Sequence, residues 1–411
     1  MIEKEFDKKQ WHLVRNDNGE WISDDNVVFL TALEATVWKS MAVRQKKPLS
    51  IQHGIDGQLW CYRHEFEAIE DEAIEDEKIQ PANRILKIKK AMPKQETNEL
   101  HCSDIYKGDN AFKRAARSKQ SWFRETYLKV GFDPTNRYGK YGAFLLPQDA
   151  EDGLNFYEGF RKEIRDAIRD RYPKLNKDKH DGLYANMLRS EHIPWNVFIP
   201  MKSDLKASAK VFNTILGVPV IDKIVDIHIE WAPNKVVCLN DGTSFDTYIE
   251  FMHHGNLCGI GIEVKYTEEG YPFGKTEYRE VMENDRSRYA EVTAECGLYK
   301  SEIASRPIRE TDLCKDDYRQ IWRNHILGES MVKNPKLEHP LEEFHTLTLY
   351  PKGNTHFKKV LPEYQSLLTE YGSSRFHSIT FEEFFSLLME YFTQNSKYRD
   401  WIRYLKIRYP F

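Results

Sequence analysis

The sequence predicts an α/β fold, a mixed central sheet flanked by helices and preceded by a smaller β-containing module. Three observations predict it. From about residue 183 apolar segments alternate with turns, and the stretch 221–267 reads as a β-rich sheet core. Helical patterns lie on both sides of that stretch. Short apolar runs alternate with Asn, Asp and Gly through the first 95 residues. A chain of 411 residues accommodates two or three domains, so we expect an accessory or recognition module over 1–95 and the main domain over 110–411.

The elements follow in order. Asn16-Asp17-Asn18-Gly19 suits a hairpin loop, and His53-Gly54-Ile55-Asp56-Gly57 is a second turn signal. Glu65 to Glu77 then carries eight acids and no base, with Phe66, Ile69, Ala73 and Ile74 at near-helical spacing. It reads as the solvated face of a helix, with nucleic-acid mimicry or a partner site as the alternative. Basic stretches follow at Arg84–Lys90, strand-like and ending at Pro93, and at Lys113-Arg114, Arg117 and Lys119; both suit either phosphate contact or solvated surface. The clearest amphipathic helix is expected over 152–172, where Phe156, Phe160, Ile164 and Ile168 recur every four positions before Pro173. We expect a further helix to supply Ser190-Glu191, then the sheet core, then helices and one more strand at 345–350. A last helix is expected from Thr380, whose Thr380-x-x-Glu383 spacing is a capping box. The tail from Lys397 to Tyr409 interleaves bases with aromatics, which suits nucleic-acid contact, yet Trp401, Tyr404 and Ile407 also make one helical stripe.

Charge and composition exclude several classes. With 60 Lys+Arg against 64 Asp+Glu the net charge is −4, so any nucleic-acid contact uses local basic patches rather than a basic coat. A hydrophobic content of 40% with 13% aromatics is enough for a real core. The N-terminus is charged, and no run reaches the roughly 18 apolar residues of a membrane span. A soluble, cytoplasmic protein with no membrane partner is expected. The six cysteines are scattered without a C-x-x-C pair, which indicates neither a zinc ribbon nor a disulfide framework. His253-His254 is a poor metal site by spacing, since neighbours in a strand or turn diverge and no Cys or His companion stands nearby in sequence. No G-x-S-x-G elbow, phosphate loop or dinucleotide turn is present.

The segment that carries chemistry runs from Val237 to Glu268: a strand-like run, the turn Asn240-Asp241-Gly242, a strand with Asp246, the turn His254-Gly255-Asn256, and a strand ending in Glu263-Val264-Lys265. Residues two apart in a strand share a face, so Glu263 and Lys265 project together while Ile262 and Val264 point to the other side. Charges at the end of a central strand are costly unless paired or metal-bound. Two converging carboxylates are hard oxygen ligands for Mg²⁺, and a neighbouring lysine can orient or deprotonate a water and stabilise negative charge on phosphate. The alternative is a salt-bridged set on a surface hairpin.

Asp246 followed by Glu263-Val264-Lys265 resembles the PD-(D/E)XK nuclease superfamily, with Phe245 standing where many members have proline. The surroundings resemble its bacterial restriction-endonuclease-like branch over most of 110–390: Met187–Pro200, Ile229–Pro233, Phe245–Ile249, Gly259–Glu268, Gln320–Leu327 and Thr348–Pro351. The resemblance implies a PD-(D/E)XK restriction-endonuclease-like core as the 110–411 domain. It implies Asp246, Glu263 and Lys265 as catalytic residues, with Asp246, Glu263 and the backbone carbonyl of Val264 holding Mg²⁺, for which Mn²⁺ substitutes. It also points to Glu191, with Glu230 second, as an additional acid, and to Arg323 and Asn324 facing the site or a phosphate; for the last two, ordinary helix packing is an equal reading. The implied function is a Mg²⁺-dependent DNA endonuclease of restriction or anti-phage type, with a homodimer and a protein partner for the N-terminal module both compatible. An RNA-cleaving effector on the same scaffold and a non-catalytic nucleic-acid-binding protein are the alternatives.

Overall fold

The computed structural model describes residues 13–15, 21–23, 27–30, 42, 46–53, 59–62, 64–65 and 106–409 except 137 and 393–394. The chain divides into two units, Met1–Glu96 and Thr97–Phe411. In the first, β1 (Leu13–Arg15) pairs antiparallel with β2 (Trp21–Ser23), while β5 (Leu59–Tyr62) pairs antiparallel with both β3 (Val27–Leu30) and β4 (Gln52–His53). The turn residues 16–19 and 54–57, the acidic run beyond Glu65 and the basic stretch 84–90 lie outside the described residues.

The second unit is built on a five-stranded mixed sheet of β6 (Lys223–Trp231), β7 (Phe245–His253), β8 (Asn256–Val264), β9 (Glu343–Tyr350) and β10 (Phe376–Thr380). The strands lie side by side in chain order; β6, β7 and β8 form an antiparallel meander, and β9 and β10 add on in parallel. This is the mixed, helix-flanked sheet that the sequence predicts. His254 and Gly255 take φ of 49° and 83° between the paired residues His253 and Asn256, the left-handed two-residue turn that matches strand twist. Gly259 and Gly261 are needed for close approach. A Cβ on Gly261 would meet ring carbons of Phe245 at 2.6 Å and Phe344 at 2.7 Å.

Alternation along β8 separates two cores. Cys258, Ile260, Ile262 and Val264 join the apolar cluster that includes α2 (Arg161–Arg171), α3 (Ile193–Lys202), α4 (Leu205–Leu216), α8 (Phe381–Tyr391) and α9 (Ser396–Arg408). The second cluster combines Phe245, Tyr248 and Phe344 with α5 (Arg288–Glu295), α6 (Arg319–Glu329) and α7 (Thr355–Gln365). Glu263 belongs to this second face, opposite Ile262 and Val264 as expected. Ahead of both stands α1 (Ala111–Trp122), capped by Asn110, whose side chain accepts from the Lys113 N–H at 2.8 Å.

Several expectations are corrected. The helix expected over 152–172 begins only at Arg161, after a 3₁₀ turn at Glu158–Phe160, because Gly153 takes φ of 74° and Tyr157 a non-helical ψ of 127°; Phe156, Phe160, Ile164 and Ile168 are nevertheless all buried. Ser190 and Glu191 lie in turns before α3 rather than on a helix, and Val237–Leu239 is a turn rather than a strand. The Thr380 capping box starts α8, with mutual bonds between Thr380 and Glu383, but α9 follows it. Trp401 and Tyr404 are buried, so the tail packs as a core helix. Among the described residues no helix is long and apolar enough to cross a membrane.

Candidate active site

The β7–β8 register pairs Thr247 with Ile262, and one step further sets Asp246 against Glu263 at the end of the meander. The Asp246 carboxylate accepts the Val264 backbone N–H at 2.7 Å, which fixes it across the strand end. Glu263 and Lys265, two apart, meet directly: Lys265 Nζ lies 2.5 Å from Glu263 Oε1. Both are buried, at 9% and 4% exposure, so neither charge is hydrated as a surface pair would be. The structure thus gathers the three residues that the sequence singled out.

Helix α6 closes this cluster from the second face. Asn324 donates its side-chain N–H to Glu263 Oε2, and Lys265 donates to the Gln320 side-chain carbonyl. Gln320 opens the Gln320–Leu327 stretch but is given no role there, although it stands four residues before Asn324 on the same helical face. Arg323 is directed elsewhere. Its guanidinium binds Asp241 at 2.6 Å and Glu277 at 2.5 Å and donates to Tyr289, clamping the 240–243 turn to α6.

Glu230 follows Ile229, which pairs with Thr247, so it stands opposite Asp246 on β6, where it takes a φ of 54° within the strand. Its carboxylate is bridged by Lys179 Nζ at 2.9 Å. Glu191 pairs with Arg189 at 2.7 Å and packs on Gly182, where a Cβ would fall 2.1 Å from its Oε2. Glu230 therefore adjoins Asp246, whereas Glu191 is held by its own arginine. Glu268 was also not singled out: its carboxylate accepts the backbone N–H groups of Ser190 at 2.8 Å and Tyr266 at 2.9 Å, tying the turn before α3 to the end of β8. Lys179 carries no local spacing signal, since it reaches Glu230 across 51 residues of sequence.

The electrostatics are unbalanced. Burial, then the neighbouring Glu263 and Glu230, push the Asp246 carboxyl well above the usual carboxylate range. Burial alone would lower the Lys265 ammonium, but Glu263 and Asp246 outweigh it and hold Lys265 above its ordinary value, so it stays charged. Asp246 and Glu263 sharing the Lys265 ammonium, with Glu230 on its own lysine beside them, is a donor set suited to a further cation. On this observation the residues present fit a hard divalent ion.

Elsewhere Asp222, His253 and His254 bring potential ligand atoms within 4.8 Å of one another. Asp222, just before β6, supplies the third donor that spacing did not reveal.

A family model of the PD-(D/E)XK nuclease superfamily matches residues 107–411. No curated protein and no solved structure matches the chain significantly. The match covers well over half of the sequence, and the chain belongs to the PD-(D/E)XK nuclease superfamily.

Proposed function

Taking that membership as the premise, we propose that the chain is a metal-dependent DNA endonuclease of restriction or anti-phage type, with residues 110–411 as its nuclease domain. The observation that carries the proposal is the convergence of Asp246 and Glu263 from paired strands beside a buried, charged Lys265. Asp246, Glu263 and the Val264 carbonyl would hold Mg²⁺, with Mn²⁺ as a substitute. When bound, such an ion supplies a Lewis acid for the phosphate and lowers the pKa of an attacking water.

The chain's own groups do the rest. Lys265, which holds its proton, donates N–H bonds that orient the water and steady charge developing on a phosphoryl oxygen. Gln320 and Asn324 fix the rotamers of Lys265 and Glu263, so the geometry exists before substrate arrives. Glu230, facing Asp246, keeps the local field negative and favours a cation over a bare anionic phosphate. The restriction or anti-phage reading rests on the resemblance over 110–390. Cutting both strands of a duplex calls for two such centres, hence a homodimer, and residues 1–95 would read the target or bind a partner.

The test is cleavage of unmodified plasmid and phage DNA by the full-length protein in Mg²⁺, with EDTA and Lys265→Ala as controls. The proposal expects cutting that both controls abolish. Cutting that survives EDTA would remove the metal role, and degradation of RNA alone would replace the DNA substrate with RNA.

A further inference from the structure

A cavity of about 570 Å³ opens beside the active-site cluster, within the roughly 300–1,000 Å³ typical of ligand sites. Its connection to the chemistry is Tyr271, a wall residue whose ring centroid lies 5.5 Å from Lys265 Nζ. Two aromatic side chains are partly exposed at its margin, Tyr138 at 42%, edge-on to Tyr106, and Tyr271 at 39%. Solvated aromatic surface around a concave site marks a place for a flat partner.

The walls are braced rather than loose. Arg117 is spent on Asp109, at 2.6 and 3.1 Å, and lies over the Tyr106 ring at 5.6 Å. Asn110 Nδ2 donates to Glu269 Oε1 at 2.6 Å, linking the start of α1 to the loop after β8. The two acids of the lining are thereby engaged, Glu269 by Asn110 and Glu268 by the two backbone N–H groups described above. Lys113 supplies a cation on the same lining, while Arg189 is held by Glu191 at 2.7 Å.

Planar aromatic surface, the Lys113 cation and a wall ring that adjoins Lys265 together match one ligand class. We propose that the cavity receives a single unpaired nucleobase of the DNA substrate, resting against Tyr138 and Tyr271, while Lys113 holds a flanking phosphate. The proposal rests on the endonuclease reading above. A paired base has both faces covered by its neighbours and cannot enter a cavity, so the base must leave the stack, and its exposed faces are then covered by the tyrosine rings. The cavity would thereby fix which phosphate lies at Lys265.

A mismatch makes extrusion cheaper at the position where it is placed. The experiment measures equilibrium binding, by fluorescence anisotropy in Mg²⁺, of full-length Lys265→Ala protein to a set of duplexes that differ only in the position of one mismatch. The expected result is one position at which the mismatch tightens binding by about tenfold, a gain lost in a further Tyr138→Ala change and kept in Tyr138→Phe. Lys113→Ala should weaken matched and mismatched duplexes alike and reduce the salt slope by about one. Binding that no mismatch position strengthens, or a gain that survives Tyr138→Ala, overturns the cavity assignment while leaving the nuclease reading intact. A wild-type protein that neither binds nor cuts DNA overturns both.

Discussion

Two buried polar clusters border the sheet core, and they are built on opposite plans. Around Arg408, on α9, the partners are neutral: Gln120 Oε1 at 3.2 Å, the Asn155 carbonyl at 2.8 Å, the Asn155 side chain, the Tyr404 hydroxyl and His192 Nε2 at 3.2 Å. Burial holds His192 well below its ordinary pKa, so it stays neutral beside the guanidinium. Asn196 extends the network to Tyr409 and Asn155, each at 3.0 Å. Around Lys265, Gln320 is joined by the carboxylates of Glu263 and Asp246, which outnumber the cation. A cluster whose bonds are satisfied by neutral groups stabilises the fold; one with surplus like charge costs stability and is ready to bind a cation. Substitutions should therefore separate in sign as well as size.

The largest effect belongs to function. Lys265→Ala should reduce phosphodiester cleavage by about 10²–10⁴-fold, the range for losing a positioned proton donor or charge stabiliser, with folding retained. Initial rates on a labelled duplex, with circular dichroism as the folding check, measure it. If Arg408→Ala lowered the rate per folded molecule as much, the contrast between the clusters would collapse.

Next comes stability at the other cluster. Arg408→Met keeps volume and apolar stem but leaves Gln120 Oε1 and the Asn155 side-chain oxygen without their donor. The cost should be about 3–5 kcal/mol, read from urea unfolding monitored by tryptophan fluorescence. A cost below about 1 kcal/mol would mean that water or rearranged amides replace the guanidinium and that the network is not what holds α9.

How much of this was legible in the sequence follows from how local each signal is. Strand alternation and turn chemistry sit within a few residues, so Asp246, Glu263 and Lys265 could be placed on one hairpin, and Thr380-x-x-Glu383 located the start of α8. The strand β10 was missed because its five residues, Phe376–Thr380, are too few to show a period and end in the residue that caps α8. The helix over 152–172 was drawn too long because apolar spacing does not register the left-handed Gly153. Gln320 and Lys179 reach the site across 55 and 51 residues of sequence, and Arg408 reaches His192, Asn155 and Gln120 across 216, 253 and 288, where no local pattern reports a contact. Arg323 shows the converse, since adjacency to Asn324 suggested the site while its guanidinium found Asp241 and Glu277.

A third cluster tests whether surplus charge costs stability away from the chemistry. Burial pushes the Glu329 carboxyl on α6 up to about 7, against the opposing pull of Arg375, and its Oε1 has no partner. The folded state then keeps a proton that the unfolded chain releases near the ordinary value of 4.5. Stability is thus full below about 4.5, falls as pH rises towards about 7, and is flat above. Glu329→Gln mimics the protonated acid and should flatten that decline, gaining on the order of 2–3 kcal/mol at neutral pH. Melts of both proteins across this pH range would show the curves converging at the acid end. Parallel curves would remove Glu329 from the list of buried charges that cost stability.

The smallest effect is the sharpest test of the comparison because its sign is opposite to that at Arg408. Asp246→Asn keeps an oxygen to accept the Val264 N–H and removes a charge crowded by Glu263 and Glu230. With metal chelated by EDTA, the variant should be more stable than wild type by about 1 kcal/mol, a rise of about 2–4 °C in Tm, while cleavage is lost. Adding Mg²⁺ should raise the Tm of wild type and leave the variant nearly unmoved, since only the wild type has the paired carboxylates to hold the ion. A variant that melts several degrees lower in EDTA would instead make the Asp246 carboxylate a structural group, and the two clusters would then be alike.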